Sequence, residues 1–78
     1  MKQSMVNIQP VKGSSNVAGI GYNPDQGLLA VRFHDGAMYH YLGVPIHIAS
    51  AFRNAPSKGT FLNVNIRGHY PYLRVDTP

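Results

Sequence analysis

The residues best suited to chemistry are Ser57-Lys58-Gly59-Thr60, directly ahead of an apolar-periodic stretch. A helix start leaves main-chain N–H groups unpaired and carries a partial positive charge, so it attracts anions. Lys58 adds a full charge, Gly59 lets the backbone approach a ligand, and Ser57 and Thr60 add hydroxyls. A phosphate suits that set. The pattern G-x-x-x-x-G-K-[ST] is absent, so nucleotide hydrolysis is not indicated. The same residues also make an ordinary turn with a capping hydroxyl and a solvated lysine, and the sequence leaves both readings open. Arg67 falls at the end of the expected helix, where a cation also favours the helix dipole. With Arg53, Arg32 and Arg74 it forms either a patch that neutralises backbone phosphates or a scattered basic surface.

Other chemistries find little support. Lys and Arg total 7 against 3 acids, a net charge of +4, and the acids are all Asp. That shortage argues against paired-carboxylate hydrolysis and hard-metal sites. The absence of cysteine excludes disulfides, thiol catalysis and thiolate metal sites. His34 and His40 share a sheet face in one hairpin register, but a zinc site lacks its third ligand. No Ser–His–acid arrangement is indicated. The expectation is a non-enzymatic binding module with no cofactor and no metal.

A chain of 78 residues is one domain, because a second would have no core of its own. Residues 1–15 read as a flexible N-terminal arm, in which Val6 and Ile8 can pair as a short strand, and residues 16–78 as the folded unit. No signal-peptide core and no membrane-spanning run is present, so no membrane partner is expected and the default location is the cytoplasm.

Three strands are predicted over residues 17–22, 28–34 and 37–42. Gly19 and Gly21 weaken the first strand or mark a bulge. Asn23, Pro24, Asp25, Gln26 and Gly27 form the first turn, and Asp35-Gly36 the second. Short connections imply an antiparallel meander. Pro45 suits the first position of a helix of about three turns, with Ile48, Ala49, Phe52 and Ala55 on its inner side. Pro56 stops it. A second, short helix is predicted over residues 60–67, capped by Ser57 or Thr60 and closed by Gly68. Tyr70-Pro71-Tyr72 leaves in extended form, a tail whose two tyrosines either stack on bases or dock a protein groove as an exposed pair or, as is commoner, pack back over the sheet edge, and residues 73–75 either dock as a strand or lie along the surface.

The hairpin register decides which way two tyrosines face. A two-residue Asp35-Gly36 turn puts Tyr39 and Tyr41 with Arg32 and His34, an aromatic-basic platform of the kind that stacks nucleobases. A three-residue loop, His34-Asp35-Gly36, instead pairs Val31 with Tyr39 and turns both tyrosines to the core. One slip swaps the faces, because the side-chain period is two. Binary patterning favours the three-residue loop, since it gathers Arg32, His34 and His40 on one side rather than stranding His40 among apolar neighbours. Buried tyrosine hydroxyls then need partners, for which Asn63 and Asn65 are candidates.

The order Leu29-x-Val31-x-Phe33, Gly36, Tyr39-His40-Tyr41, Val44-Pro45, Ala55-Pro56-Ser57-Lys58-Gly59, Phe61-x-Asn63-x-Asn65-Ile66-Arg67 and Tyr70-Pro71-Tyr72 resembles the KTSC domain. That family is named after the C-terminus of some lysyl-tRNA synthetases. The resemblance spans nearly the whole chain, from residue 17 to residue 75. It implies a stand-alone copy, of the kind found in bacteria and phages, and the synthetase association implies RNA binding.

The expected architecture is α+β: a three-stranded antiparallel β-meander, one amphipathic helix and a short second helix. The expected function is RNA or other nucleic-acid binding, with Ser57, Lys58, Gly59, Thr60, Arg67, Arg53 and Arg32 holding phosphates. Tyr39, Tyr41 or His40 would stack a base. The alternative is a protein-interaction module, phage- or mobile-element-encoded, that binds a protein partner or forms a homo-oligomer through a sheet edge or the C-terminal tail.

Overall fold

A computed structural model describes residues 7–75. Its strands are β1 (Gln9–Pro10), β2 (Val17–Asn23), β3 (Leu28–Phe33), β4 (Met38–Tyr41) and β5 (Tyr72–Val75). They form one antiparallel sheet in the order β1-β2-β3-β4-β5. The predicted meander is therefore the middle of a five-stranded sheet. The edges were hard to foresee, because β1 is two residues long and ends in a proline, and β5 follows Pro71. Part of the segment read as an arm is thus paired to β2, and Val11 packs against the core. The pairing expected of Val6 lies outside the described residues.

The hairpin adopts the three-residue loop. Phe33 N–H donates to the Ala37 carbonyl at 2.9 Å, and Val31 stands opposite Tyr39. Gly36 takes φ +95°, a value that L side chains rarely adopt, and the Asp35 carboxylate accepts from the Ala37 N–H at 3.0 Å. The register slips between Val17 and Gly19, which is the bulge that the glycines suggested. Gly19 is also required by contact, since a Cβ there would stand 2.6 Å from the Ile8 side chain.

Helix α1 (Ile46–Asn54) presents Ala49 and Phe52 to the sheet and stops before Pro56, as predicted. Pro45 precedes the helix as its cap rather than opening it, and its carbonyl accepts from the N–H groups of Ile48 and Ala49. Helix α2 (Lys58–Phe61) runs straight into a π-helical turn (Leu62–Ile66), closed by an Arg67 N–H to Leu62 carbonyl bond of 2.8 Å. The core lies between one sheet face and these helices. Val17, Ile20, Leu29, Val31 and Tyr41 meet Val44, Ala49, Phe52, Leu62 and Ile66. No helix among the described residues is long and apolar enough to cross a membrane.

Candidate nucleic-acid interface

Helix α2 begins two residues earlier than the sequence suggested, so Lys58 and Gly59 lie in its first turn. Ser57 is the cap: its hydroxyl accepts from the Thr60 N–H at 3.3 Å and donates to the Thr60 hydroxyl at 3.0 Å. Both residues are exposed, and their hydroxyls are engaged with each other. Gly59 is pressed against the loop after β1, where a Cβ would approach the Asn16 amide to 3.3 Å. The half-buried Lys58 donates from Nζ to the Ala55 carbonyl at 2.6 Å, at the C-terminal end of α1. That carbonyl orients the ammonium without neutralising it, and two of its three N–H donors remain.

Around this helix start run three adjoining clefts. One, of about 330 Å³, lies between the loop carrying Lys12 and the segment from Pro56 to Thr60. A second, of about 320 Å³, brings Arg53 of α1 together with Lys12 and Lys58. Among the described residues no carboxylate lines either cleft. Three cations from separate parts of the chain therefore converge without a compensating acid in the lining. The third cleft, of about 310 Å³, continues past Asn16 and Asn63 to Phe33, His34 and Arg67. Asp35 lines it too, with one carboxylate oxygen held by the Ala37 N–H. His34 Nε2 stands 3.0 Å from the Ser14 carbonyl.

Beyond Phe33 the band becomes aromatic. The Phe33 ring meets Tyr39 edge-on at 5.5 Å, and Tyr39 stacks on Tyr72 at 5.0 Å with the rings within 10° of parallel. Tyr72 also touches Tyr41, with centroids 5.6 Å apart. Tyr39 and Tyr41 share the helix-facing side, yet their surroundings differ. Tyr41 is 1% exposed, so its ring cannot stack on a ligand, whereas Tyr39 is half-buried and Tyr72 is 54% exposed. The Tyr41 hydroxyl has no well-formed hydrogen-bond partner among the described residues. Burial raises its pKa above the ordinary tyrosine value, and the neighbouring Arg67 opposes that shift without completing a well-formed bond. Asn63, a candidate partner for such a hydroxyl, instead accepts from Arg67 Nη1 at 3.3 Å.

The predicted residues thus divide. Ser57, Lys58, Gly59, Thr60, Arg53 and Arg67 fall along the band of clefts. Arg32 and His40 point to the opposite face of the sheet, where Arg32 pairs with Met38 and His40 with Ala30. Three contributors were missed as site residues: Lys12, hidden in a polar segment read as an arm, Asn16, and Phe33, read as core. Tyr72 was read as part of an extended tail, with base stacking as one of its roles, and the signal for it was the Tyr-Pro-Tyr motif. Among the described residues no group of three or more His, Cys, Asp or Glu gathers as a metal site.

Comparison with known proteins places this arrangement in a family context. The sequence profile of the KTSC domain matches residues 13–70. The crystal structure of a KTSC domain protein from Yersinia pestis superposes with a TM-score of 0.84 at 38% identity, covering 91% of this chain and 99% of that one. An uncharacterised protein of Stutzerimonas stutzeri is 39% identical over 64 residues, which is 81% of this chain and 90% of the relative. A lysine–tRNA ligase of Nostoc sp. is 35% identical over 51 residues, 65% of this chain but only 9% of the ligase.

Proposed function

This chain belongs to the KTSC domain family, and from that premise we propose that it is a non-enzymatic, cytoplasmic RNA-binding module. The observation that carries the reading is the convergence of Lys12, Arg53 and Lys58 on clefts that no carboxylate of the described residues lines. Like charges held together without an acid favour a polyanion, whose phosphates release condensed counterions on binding. Arg67 extends the positive strip to the far end of the same helical stretch. RNA is the favoured polyanion because the matching relatives include a lysine–tRNA ligase, an enzyme named for an RNA substrate.

The test is the affinity for a short RNA measured against salt. The log of the association constant falls with the log of salt at about −0.7 per phosphate contacted on a single strand, so three contacts give a slope near −2. Lys12→Ala and Arg53→Ala each reduce that slope by about 0.7, one phosphate contact, and Arg32→Ala, on the other sheet face, leaves it unchanged. A slope near zero, or no binding at low ionic strength, overturns the proposal.

A second reading rests on β5. It closes one end of the sheet order with Tyr72 and Leu73 exposed, and an open strand edge is a template for pairing with another chain. Self-association that persists at high salt in sedimentation supports this reading, and a salt-insensitive monomer removes it.

A further inference from the structure

We infer that the outer face of Tyr72 seats one unpaired nucleobase, so that the nucleic acid bound by this chain is single-stranded. The inference rests on the RNA-binding reading and adds to it the class of strand. Tyr72 directs one face at Tyr39, in a stack of 5.0 Å with the planes within 10°. Tyr41 meets it at a tilt of 46°, and 54% of the residue remains exposed. Tyr39 is fixed in turn by the edge-on Phe33 ring. The outer ring is therefore a flat surface backed by two ordered layers, and a third planar ring adds to it with little reordering.

Charge completes the fit. The Arg67 guanidinium stands beside the Tyr41 hydroxyl, and the Tyr41 ring touches Tyr72, so a cation lies one ring away from the proposed seat. A nucleotide stacked on Tyr72 has its own phosphate within reach of that side of the platform. From Arg67 the polar clefts lead past Asn63 and Gly59 to Lys58 and Lys12, which gives the rest of the strand its path. A duplex does not suit this arrangement, because its bases already use both faces on their neighbours. A single strand offers free faces, and stacking on an aromatic residue tolerates every base.

The experiment uses the full chain and three probes with equal numbers of phosphates: a single-stranded RNA, an abasic sugar-phosphate oligomer and an RNA duplex. The single strand is expected to bind tightest. Tyr72→Ala weakens its binding about 5- to 150-fold without changing the salt slope, the range that one lost base stack produces. Tyr72→Phe retains the affinity. The abasic oligomer binds the unmodified chain as weakly as the single strand binds Tyr72→Ala, a comparison that holds even where the alanine variant folds poorly. Equal affinity for the base-bearing and abasic probes, or tighter binding of the duplex, overturns the inference while a steep salt slope leaves the RNA-binding reading standing. Absence of salt-dependent binding to every probe overturns both.

Discussion

Two pairs of stacked rings sit on the same side of this sheet and serve opposite ends. Phe52 and Phe61 stack at 5.7 Å and 19°, and join α1 to α2. Phe52 is wholly buried, within the apolar cluster that also holds Ala49, Leu62 and Ile66. Tyr39 and Tyr72 stack more closely, at 5.0 Å and 10°, but at the β4–β5 edge with the outer ring in solvent. The first pair sits among apolar side chains and its removal leaves a void. The second has a guanidinium nearby and an outer ring that is 54% exposed, so its removal takes away surface rather than core. Similar ring geometry thus yields stability in one place and a platform in the other, and burial and neighbouring charge make the difference.

Substitution separates the pairs. Phe52→Ala is expected to cost about 3–5 kcal/mol, the range for a buried aromatic truncated to alanine, read by urea denaturation. A loss below about 1 kcal/mol would mean that the phenyl pair is not the structural one. Tyr72→Ala, by contrast, should shift the urea midpoint little while reducing RNA affinity by about 1–3 kcal/mol. A large fall in stability with unchanged binding would reverse the assignment.

Smaller effects sharpen the contrast at the cap and at the buried hydroxyl. Ser57→Ala removes the bond that satisfies the Thr60 N–H, so a loss of about 1 kcal/mol in thermal unfolding is expected. The salt slope of RNA binding should not move, because the Ser57 hydroxyl is spent on Thr60; a reduced slope would return Ser57 to the phosphate site. Tyr41→Phe removes a buried hydroxyl that has no well-formed partner among the described residues, so stability should hold within about 1 kcal/mol or rise. Its raised pKa fixes a pH signature. Burial favours the protonated phenol in the fold, so the stability linked to this group is complete below the ordinary tyrosine value of 10.0 and is lost as pH rises from there through the raised folded value. Tyr41→Phe should flatten that alkaline decline in melts taken across the range, and an unchanged decline would assign it to other tyrosines.

What the sequence revealed, and what it withheld, follows from the range of the forces involved. The hairpin register was legible because one slip would strand His40 among apolar residues, and the paired strands obey that pattern. The end of α1 was legible because Pro56 acts on its immediate neighbour. The π turn was not, because an extra residue per turn leaves no local mark and depends on how Leu62 and Ile66 dock. Nor does periodicity distinguish Tyr39 from Tyr41. Both face the helices, and only the packing of the layer above buries one and leaves the other half open. Lys12 escaped for a related reason: it comes to line one cleft with Lys58 and Arg53 only once β1 has paired with β2.

The central claim is that Lys12, Arg53 and Lys58 act together on a phosphate backbone. The most direct measurement is the salt dependence of RNA affinity for the unmodified chain beside the Lys12→Ala/Arg53→Ala double variant, with circular dichroism confirming that both are folded. A slope near −2 is expected for the unmodified chain, dropping to about −0.7 in the double variant, since each cation accounts for one phosphate. Superimposable slopes from two folded proteins would contradict it.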